Sequence, residues 1–253
     1  MKSNDIPLAR RDIIAERLKI GQSVVSAELA KEFDLSEDAI RRDLRALAAD
    51  GLCRRVYGGA LPILPSSPPM SARIKEGSER KAVLGRSGAE EIQPGELLFL
   101  DSGSTNLALT PFLPEDFDLT VATNSLAIAS ALQSREDIRL IILGGCINPQ
   151  IGGSVDSNTL ISLMKLNIDR AYLGVCGMSL KNGACALHPD DANFKRQIMQ
   201  QSKMNILLAT NEKFSTQAHF QFSSLHQFHK IFVEPDLDES IITSLEGISV
   251  NRA

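Results

Sequence analysis

The chain has 253 residues, 43% of them apolar and 23% charged, a balance that suits a globular protein of one large or two modest domains. No apolar run approaches the roughly 18 residues of a membrane span, and Met1–Pro7 lacks the apolar stretch of a signal peptide, so a cytoplasmic protein without membrane partners is expected. The formal charge of −4 is unevenly spread: residues 1–60 hold eleven Lys/Arg against ten Asp/Glu, the remainder sixteen against twenty-one. Local basic clusters at Arg41-Arg42, Arg45 and Arg54-Arg55 can attract phosphates even in an acidic chain.

The first sixty residues read as three short helices and a hairpin. The first helix runs from about Leu8 to Leu18, with Ile14 and Leu18 four apart, and is broken by Gly21. A second spans about Ser26 to Phe33, with Ser26 as its N-cap. The short link Asp34-Leu35 leads to Ser36, another N-cap, followed by Glu37 and Asp38 at the positive end of the next helix dipole. That third helix continues to about Ala49 and stops at Asp50-Gly51. At 100° per residue Ile40, Leu44 and Leu47 share one stripe, while Asp38, Arg41, Arg42 and Arg45 fall on the other side. An apolar back with an arginine-rich front is what a recognition helix needs to dock on its neighbours and enter the major groove of double-stranded DNA. Asp38 and Arg42 are also spaced for an i, i+4 ion pair, which is compatible with DNA binding. Arg54, Arg55 and Tyr57, ahead of Gly58-Gly59, form a basic hairpin placed as the wing of a winged helix.

Pro62 through Met70 holds four prolines and two serines and reads as a linker. The expected division is therefore a DNA-binding domain over 1–61 (helix-turn-helix about 23–42), a linker over 62–78 and a second domain over 79–253. Beyond the linker, apolar runs at Leu97–Leu100, Leu119–Ala122, Arg139–Leu143, Ala171–Val175, Asn205–Ala209 and Ile231–Val233 alternate with helix-like stretches at Arg80–Ile92, Ser125–Leu132, Ser157–Leu166 and Asp190–Gln201. Such alternation predicts an α/β domain with a mostly parallel sheet covered on both faces.

Ligands of open parallel sheets bind outside the carboxyl ends of the strands. Asp101-Ser102-Gly103-Ser104-Thr105 follows one strand and opens a helix, so free backbone N–H groups and hydroxyls form an anion cradle there; a plain strand-to-helix turn is the alternative. Thr123-Asn124-Ser125 ends the next strand, either beside that loop or as a helix cap, and both roles can hold at once. Four scattered cysteines without a C-x-x-C pair, and four histidines of which His226 and His229 lack an evident third ligand, argue against disulfides, a metal site or a cofactor.

Over essentially the whole chain the sequence resembles the DeoR family of transcriptional regulators. The resemblance is carried by Leu29-Ala30, Asp34-Leu35-Ser36, Ile40-Arg41-Arg42-Asp43-Leu44 and Asp50-Gly51-Leu52, followed by Arg54-Arg55-Val56-Tyr57-Gly58-Gly59-Ala60. In the second domain it is carried by Asp101–Thr105, Thr123-Asn124-Ser125, Leu143-Gly144-Gly145, Asp169–Gly177, Asp191-Ala192 with Lys195-Arg196, and Lys213-Phe214. It implies a winged helix-turn-helix joined to a sensor domain similar in fold to ribose-5-phosphate isomerase. It also implies a homo-oligomer, a phosphorylated sugar effector and repression that the effector relieves. Carried over onto this chain, the DNA-facing set is Ser26, Ser36, Asp38, Ala39, Arg41, Arg42, Arg45, Arg54, Arg55 and Tyr57; the effector set adds Gly177, Asp191, Lys195 and Lys213 to the two loops. Ala39 replaces the Thr usual in the family, so the operator sequence does not carry over. Cys176-Gly177-Met178 stands where the isomerases have an acidic segment, and Thr210 where the sensors usually have Asp. The alternative is a sugar-phosphate isomerase with an accessory N-terminal domain, but an obvious catalytic carboxylate is missing, which favours sensing over catalysis.

Overall fold

The computed structural model describes residues 7–19, 22–62, 68–216 and 218–253. Met1–Ile6, the Gly21 break and the middle of the Pro/Ser-rich segment, 63–67, lie outside them. The chain divides into two compact units, Met1–Ser66 and Ser67–Ala253.

The smaller unit runs α1 (Pro7–Lys19), β1 (Val24–Val25), α2 (Ser26–Glu32), α3 (Glu37–Ala49), β2 (Cys53–Val56) and β3 (Gly59–Pro62). Its core gathers Ile14, Leu18, Leu29, Ile40, Leu44 and Leu47, the apolar stripes of three helices that could not be buried singly. The α3 stripe faces inward as its spacing requires. Ser36 caps α3, accepting a hydrogen bond from the Ala39 N–H at 3.3 Å.

Two local expectations need correction. The hairpin turn is Tyr57-Gly58, with Gly58 at φ +82°, while Gly59 lies within β3 and pairs with Val25 of β1 in a three-stranded sheet. A two-residue strand like β1 carries too little pattern to be read from sequence. For the same reason Ser26 is not a cap: the chain enters α2 directly from β1, Val25 takes the N-cap position, and the Ser26 N–H donates to the Gly58 carbonyl at 2.7 Å.

The larger unit begins with α4 (Met70–Lys75) and α5 (Ser78–Ala89). The chain continues through β4 (Leu97–Leu100), α6 (Ser104–Leu109), β5 (Thr120–Thr123), α7 (Leu126–Leu132) and β6 (Arg139–Ile142). A short hairpin, β7 (Ile147–Asn148) and β8 (Gly153–Ser154), leads to α8 (Ser157–Leu163) and β9 (Ile168–Leu173). Then come β10 (Gly177–Ser179), β11 (Gly183–Ala186), α9 (Pro189–Gln201), β12 (Ser202–Ala209), α10 (Glu212–Ser215) and β13 (Phe220–Ser223). The unit closes with β14 (Lys230–Val233), α11 (Glu239–Ser244) and β15 (Val250–Arg252). Seven parallel strands form one sheet in the order β15-β14-β12-β9-β4-β5-β6. One apolar cluster around Phe99, Leu173, Phe194 and Leu207 and another around Leu84, Leu98, Leu109 and Tyr172 cover its two faces. This is the α/β layering expected of continuous apolar strands.

Residues 70–75 do not behave as linker. Pro69 starts a helical turn, Met70 is buried, and Arg73 Nη2 donates to the carbonyls of Gln150 and Ile151 at 2.8 and 3.1 Å, so α4 is part of the larger unit. Pro69 takes the N-cap position of α4, so the proline-rich stretch that suggested a linker leads directly into a helix.

Candidate functional sites

In the smaller unit Arg41, Arg42, Arg45, Arg54, Arg55 and Tyr57 are all exposed, as are Ser36 and Asp38, and Ala39 is half-buried. Arg41 is the organised member of the set. Its guanidinium donates to Glu37 Oε2 at 2.8 Å and to Asp38 Oδ1 at 3.3 Å, one turn back on the same helix face. The expected Asp38–Arg42 ion pair is therefore absent: Asp38 is taken by Arg41, and Arg42 Nε donates to the Asp38 backbone carbonyl at 3.4 Å. Tyr57 stands fully exposed at the hairpin tip. Ser26 is buried and lies off this surface.

Asp43 is a contributor that sequence reasoning passed over. It is only 2% exposed and receives Arg10 Nε at 2.7 Å and Arg11 Nε at 2.9 Å, fixing α1 against α3 behind the arginine face. An acidic residue between Ile40 and Leu44, on the apolar side of α3, was the available signal.

In the larger unit the two loops meet at the carboxyl ends of β4 and β5. Asp101 is fully buried, and its Oδ2 accepts from the Gly174 N–H at 2.8 Å and from Lys195 Nζ. Lys195, reaching up from α9, also lies 3.1 Å from Asp191. Burial disfavours the charges of Asp101 and Lys195. It raises the Asp101 pKa, with Asp191 adding to the rise and Lys195 opposing it. For Lys195 burial works against the ammonium, but the two carboxylates overcome it and hold the lysine protonated beyond its ordinary range.

Thr123, Asn124 and Ser125 are occupied in holding this loop. Thr123 Oγ1 donates to the Leu100 carbonyl at 2.6 Å and accepts from the Ser125 N–H at 3.0 Å. Asn124 Oδ1 accepts from the Ser102 N–H at 3.0 Å while its amide donates to the Ser154 carbonyl at 3.0 Å. Ser125 caps α7. Asn106, not singled out in the sequence, adds another tie, donating to the carbonyls of Asp101 and Tyr172, both at 2.9 Å.

The remaining members of the set surround the same strand ends. Ser102, Gly103 and Ser104 are buried and Thr105 half-buried, with Gly103 as the N-cap of α6, so the first N–H groups of that helix have no intrahelical acceptor. Gly177 is buried in β10, paired with Cys185. The Cys176 thiol beside it is pushed up first by burial and then by Asp191, with Lys195 and Lys213 acting the other way. Asp101 Oδ1 and Ser102 Oγ are buried without a hydrogen-bond partner. Orphaned buried oxygens are costly, roughly 1–3 kcal/mol each, and here two of them share one loop. Among the described residues no group of three His, Cys, Asp or Glu side chains is placed to hold a metal, and no helix is long and apolar enough to cross a membrane.

Comparison with known proteins agrees with this two-part architecture. Residues 10–64 match the DeoR-like helix-turn-helix domain and residues 76–234 the DeoR C terminal sensor domain. The chain belongs to the DeoR family. It is 30% identical to the glycerol-3-phosphate regulon repressor of Escherichia coli over 93% of this chain and 94% of that one. It is also 30% identical to the HTH-type transcriptional repressor GlcR of Bacillus subtilis, over 87% and 86%. A ribose 5-phosphate isomerase A from Methanocaldococcus jannaschii superposes on 55% of each chain with a TM-score of 0.41 and 12% identity. As a DeoR-family member the chain is a DNA-binding transcriptional regulator, and the exposed α3 face is its candidate DNA-reading surface.

Proposed function

We propose that this regulator is a cytoplasmic repressor of a carbohydrate-catabolism operon, relieved when a small phosphorylated sugar binds at the strand ends of its larger unit. The observation that carries the DNA-reading part is the division of α3: Ile40, Leu44 and Leu47 are buried while Arg41, Arg42 and Arg45 are exposed. Arg41, steadied by Glu37 and Asp38, reads a base edge; Arg42 and Arg45 support it; Arg54 and Arg55 meet backbone phosphates and Tyr57 the adjoining groove. A homo-oligomer fits this role, because pairing two small reading heads doubles the contacts. The relatives' names as repressors, one of them of a glycerol-3-phosphate regulon, support both the repressor role and a phosphorylated effector.

For the effector, the supporting observation is the pair of unpartnered oxygens, Asp101 Oδ1 and Ser102 Oγ, in a loop that Asn124 and Asn106 hold in place. Both oxygens accept hydrogen bonds, and sugar hydroxyls donate them. Asp101 is tied to Lys195 and Gly174, an arrangement suited to fixed recognition rather than to a base that takes and returns a proton. The test is fluorescence anisotropy of the full chain on its own upstream DNA at several salt concentrations, with and without a phosphosugar panel. Specific binding with a steep salt slope, weakened by one phosphosugar, supports the proposal. Salt-insensitive or absent binding sinks it, and robust aldose–ketose turnover by the purified protein would favour an isomerase instead.

A further inference from the structure

A groove of about 540 Å³ opens in the larger unit between α9, the first half of β12, β13 and the turn before β14. That volume falls in the range of small-molecule sites, roughly 300–1,000 Å³. The groove lies apart from the Asp101 loop. Phe222 of β13 stands between it and the buried triad, with its ring centroid 6.0 Å from Lys195 Nζ. Residues 61–253 hold more Asp/Glu than Lys/Arg, yet among the described residues no acidic side chain lines the groove.

Its two sides offer different chemistry. On the β13 side Arg196 is exposed and makes no ion pair among the described residues; its guanidinium donates to Asn193 Oδ1 at 2.5 Å and to the Gln221 carbonyl, both uncharged. A guanidinium has five N–H donors, so several remain, with a full charge, for an anion. Gln227 Oε1 is taken by Ser223 Oγ at 2.9 Å and by the Ser224 N–H at 3.2 Å, which leaves its NH2 group to donate. On the β12 side Asn205 and His229 are locked together. The Asn205 N–H donates to His229 Nδ1 at 3.0 Å, and the His229 N–H donates to the Asn205 carbonyl at 2.9 Å. With Nδ1 an acceptor, the neutral imidazole carries its proton on Nε2 and donates from there. Asn205 is 5% exposed; its Nδ2 donates to the Met199 carbonyl at 3.4 Å, and its Oδ1 is buried without a partner. A donor beside an unfilled acceptor is the pattern that a hydroxyl completes, since it both gives and accepts. Met199 and Phe222 supply the apolar surface.

We propose that this groove is a second ligand site, for a small organic acid with one carboxylate, an apolar body and a hydroxyl at its far end. The carboxylate meets Arg196 and the Gln227 amide through charge-assisted hydrogen bonds. The body lies on Met199 and Phe222, and the hydroxyl donates to Asn205 Oδ1 while accepting from His229 Nε2–H. Each polar group of such a ligand meets a group that the protein alone leaves unfilled. The site shares no residue with the effector set, so it does not depend on the effector reading above.

The test uses the full chain with para-hydroxybenzoate as the probe, followed by calorimetric titration and by the imidazole resonances of His229. Wild type is expected to bind it saturably, with a shift of the His229 resonances. Two changes to the probe leave the protein untouched. Benzoate, which lacks the hydroxyl, should bind about fivefold more weakly, and para-hydroxybenzamide, which lacks the charge, roughly tenfold more weakly. Arg196→Met should lose as much affinity for para-hydroxybenzoate as removal of the charge does, and Arg196→Lys should recover part of it. Because Arg196 also holds the Gln221 carbonyl, His229→Ala gives a second reading at an exposed side chain: it should abolish the preference for para-hydroxybenzoate over benzoate. Absence of saturable binding to wild type, equal affinity for all three probes, or unchanged affinity in Arg196→Met would overturn the proposal. Displacement of the bound probe by a phosphosugar, which would put it at the strand ends instead, would do the same.

Discussion

Lys195 and Asp101 form an ion pair from which water is almost wholly excluded, the lysine 2% exposed and the aspartate 0%. Asp191 makes this a triad with one positive and two negative groups, so the lysine is the element that makes the buried carboxylates tolerable. Lys195→Met should cost about 3–5 kcal/mol in denaturant unfolding, the range for breaking a buried pair from one side. An Asp101→Asn, Lys195→Met double variant should recover part of the loss, because the uncompensated charge at position 101 is removed. A single-variant cost below about 1 kcal/mol would show that these charges are effectively solvated and not a buried unit.

Much of this arrangement was legible in the sequence. The α3 stripe, the Ser36 cap and six of the seven parallel strands followed from periodicity and turn chemistry, because each is specified within a few adjacent residues. The missed parts depend on long-range partners. Strands β1 and β15 are too short to carry a pattern and exist because β3 and β14 offer edges to pair with. The site shows the same division. Asp101 and Lys195 were found as strand-end and helix residues, but neither Lys81 nor Asn106 carries a local signal. Lys81 looks like an ordinary solvated helix lysine until α4, which the sequence presented as linker, folds over it. Asn124 and Thr123 were open as ligand groups or loop supports, and their bonds to Ser102, Ser154 and Leu100 favour support.

The wing is held by a close approach rather than by side chains. A methyl group built on Gly59 would lie 2.0 Å from the Val24 carbonyl oxygen, a distance no relaxation of one atom can relieve. Gly59→Ala is therefore expected to separate β1 from β3 and loosen the hairpin that carries Arg54, Arg55 and Tyr57. Operator affinity should fall at least tenfold, with the melting of the larger unit unchanged. Wild-type affinity in this variant would mean that the wing does not contribute to binding.

Asp43 offers a way to separate folding of the reading head from DNA contact. It sits behind the arginine face, joined to Arg10 and Arg11, and touches no surface that DNA could reach. Asp43→Asn removes the charge that two guanidinium groups share, and Arg10 is buried with it. A loss of about 2–4 kcal/mol is expected in the smaller unit, somewhat less than for a fully enclosed pair because Arg11 retains solvent access. Arg41→Ala, in contrast, should leave stability within about 0.5 kcal/mol while weakening operator binding by about 1–3 kcal/mol and relaxing base preference at one position. Differential scanning calorimetry and operator titration of the two variants distinguish the roles. Equal effects of both on stability would contradict the assignment.

Two partly desolvated lysines, Lys81 in α5 and Lys213 in α10, also give the protein a characteristic response to pH. Lys81 and Lys213 are both pushed below the ordinary lysine range, mainly by burial. At neutral pH both the folded and the unfolded chain carry these protons, and the folded state bears the cost. As pH rises toward the ordinary lysine value, near 10.4, the folded sites release protons before the unfolded chain does. The unfolded state then binds more protons, so stability rises with pH through that window. Lys195 does not mask the effect, because its raised pKa keeps its contribution intact until pH exceeds the ordinary range. Unfolding free energies measured from neutral to mildly alkaline pH should therefore climb more steeply for wild type than for Lys213→Met. Parallel slopes for wild type and Lys213→Met would show that Lys213 is solvated and carries no burial cost.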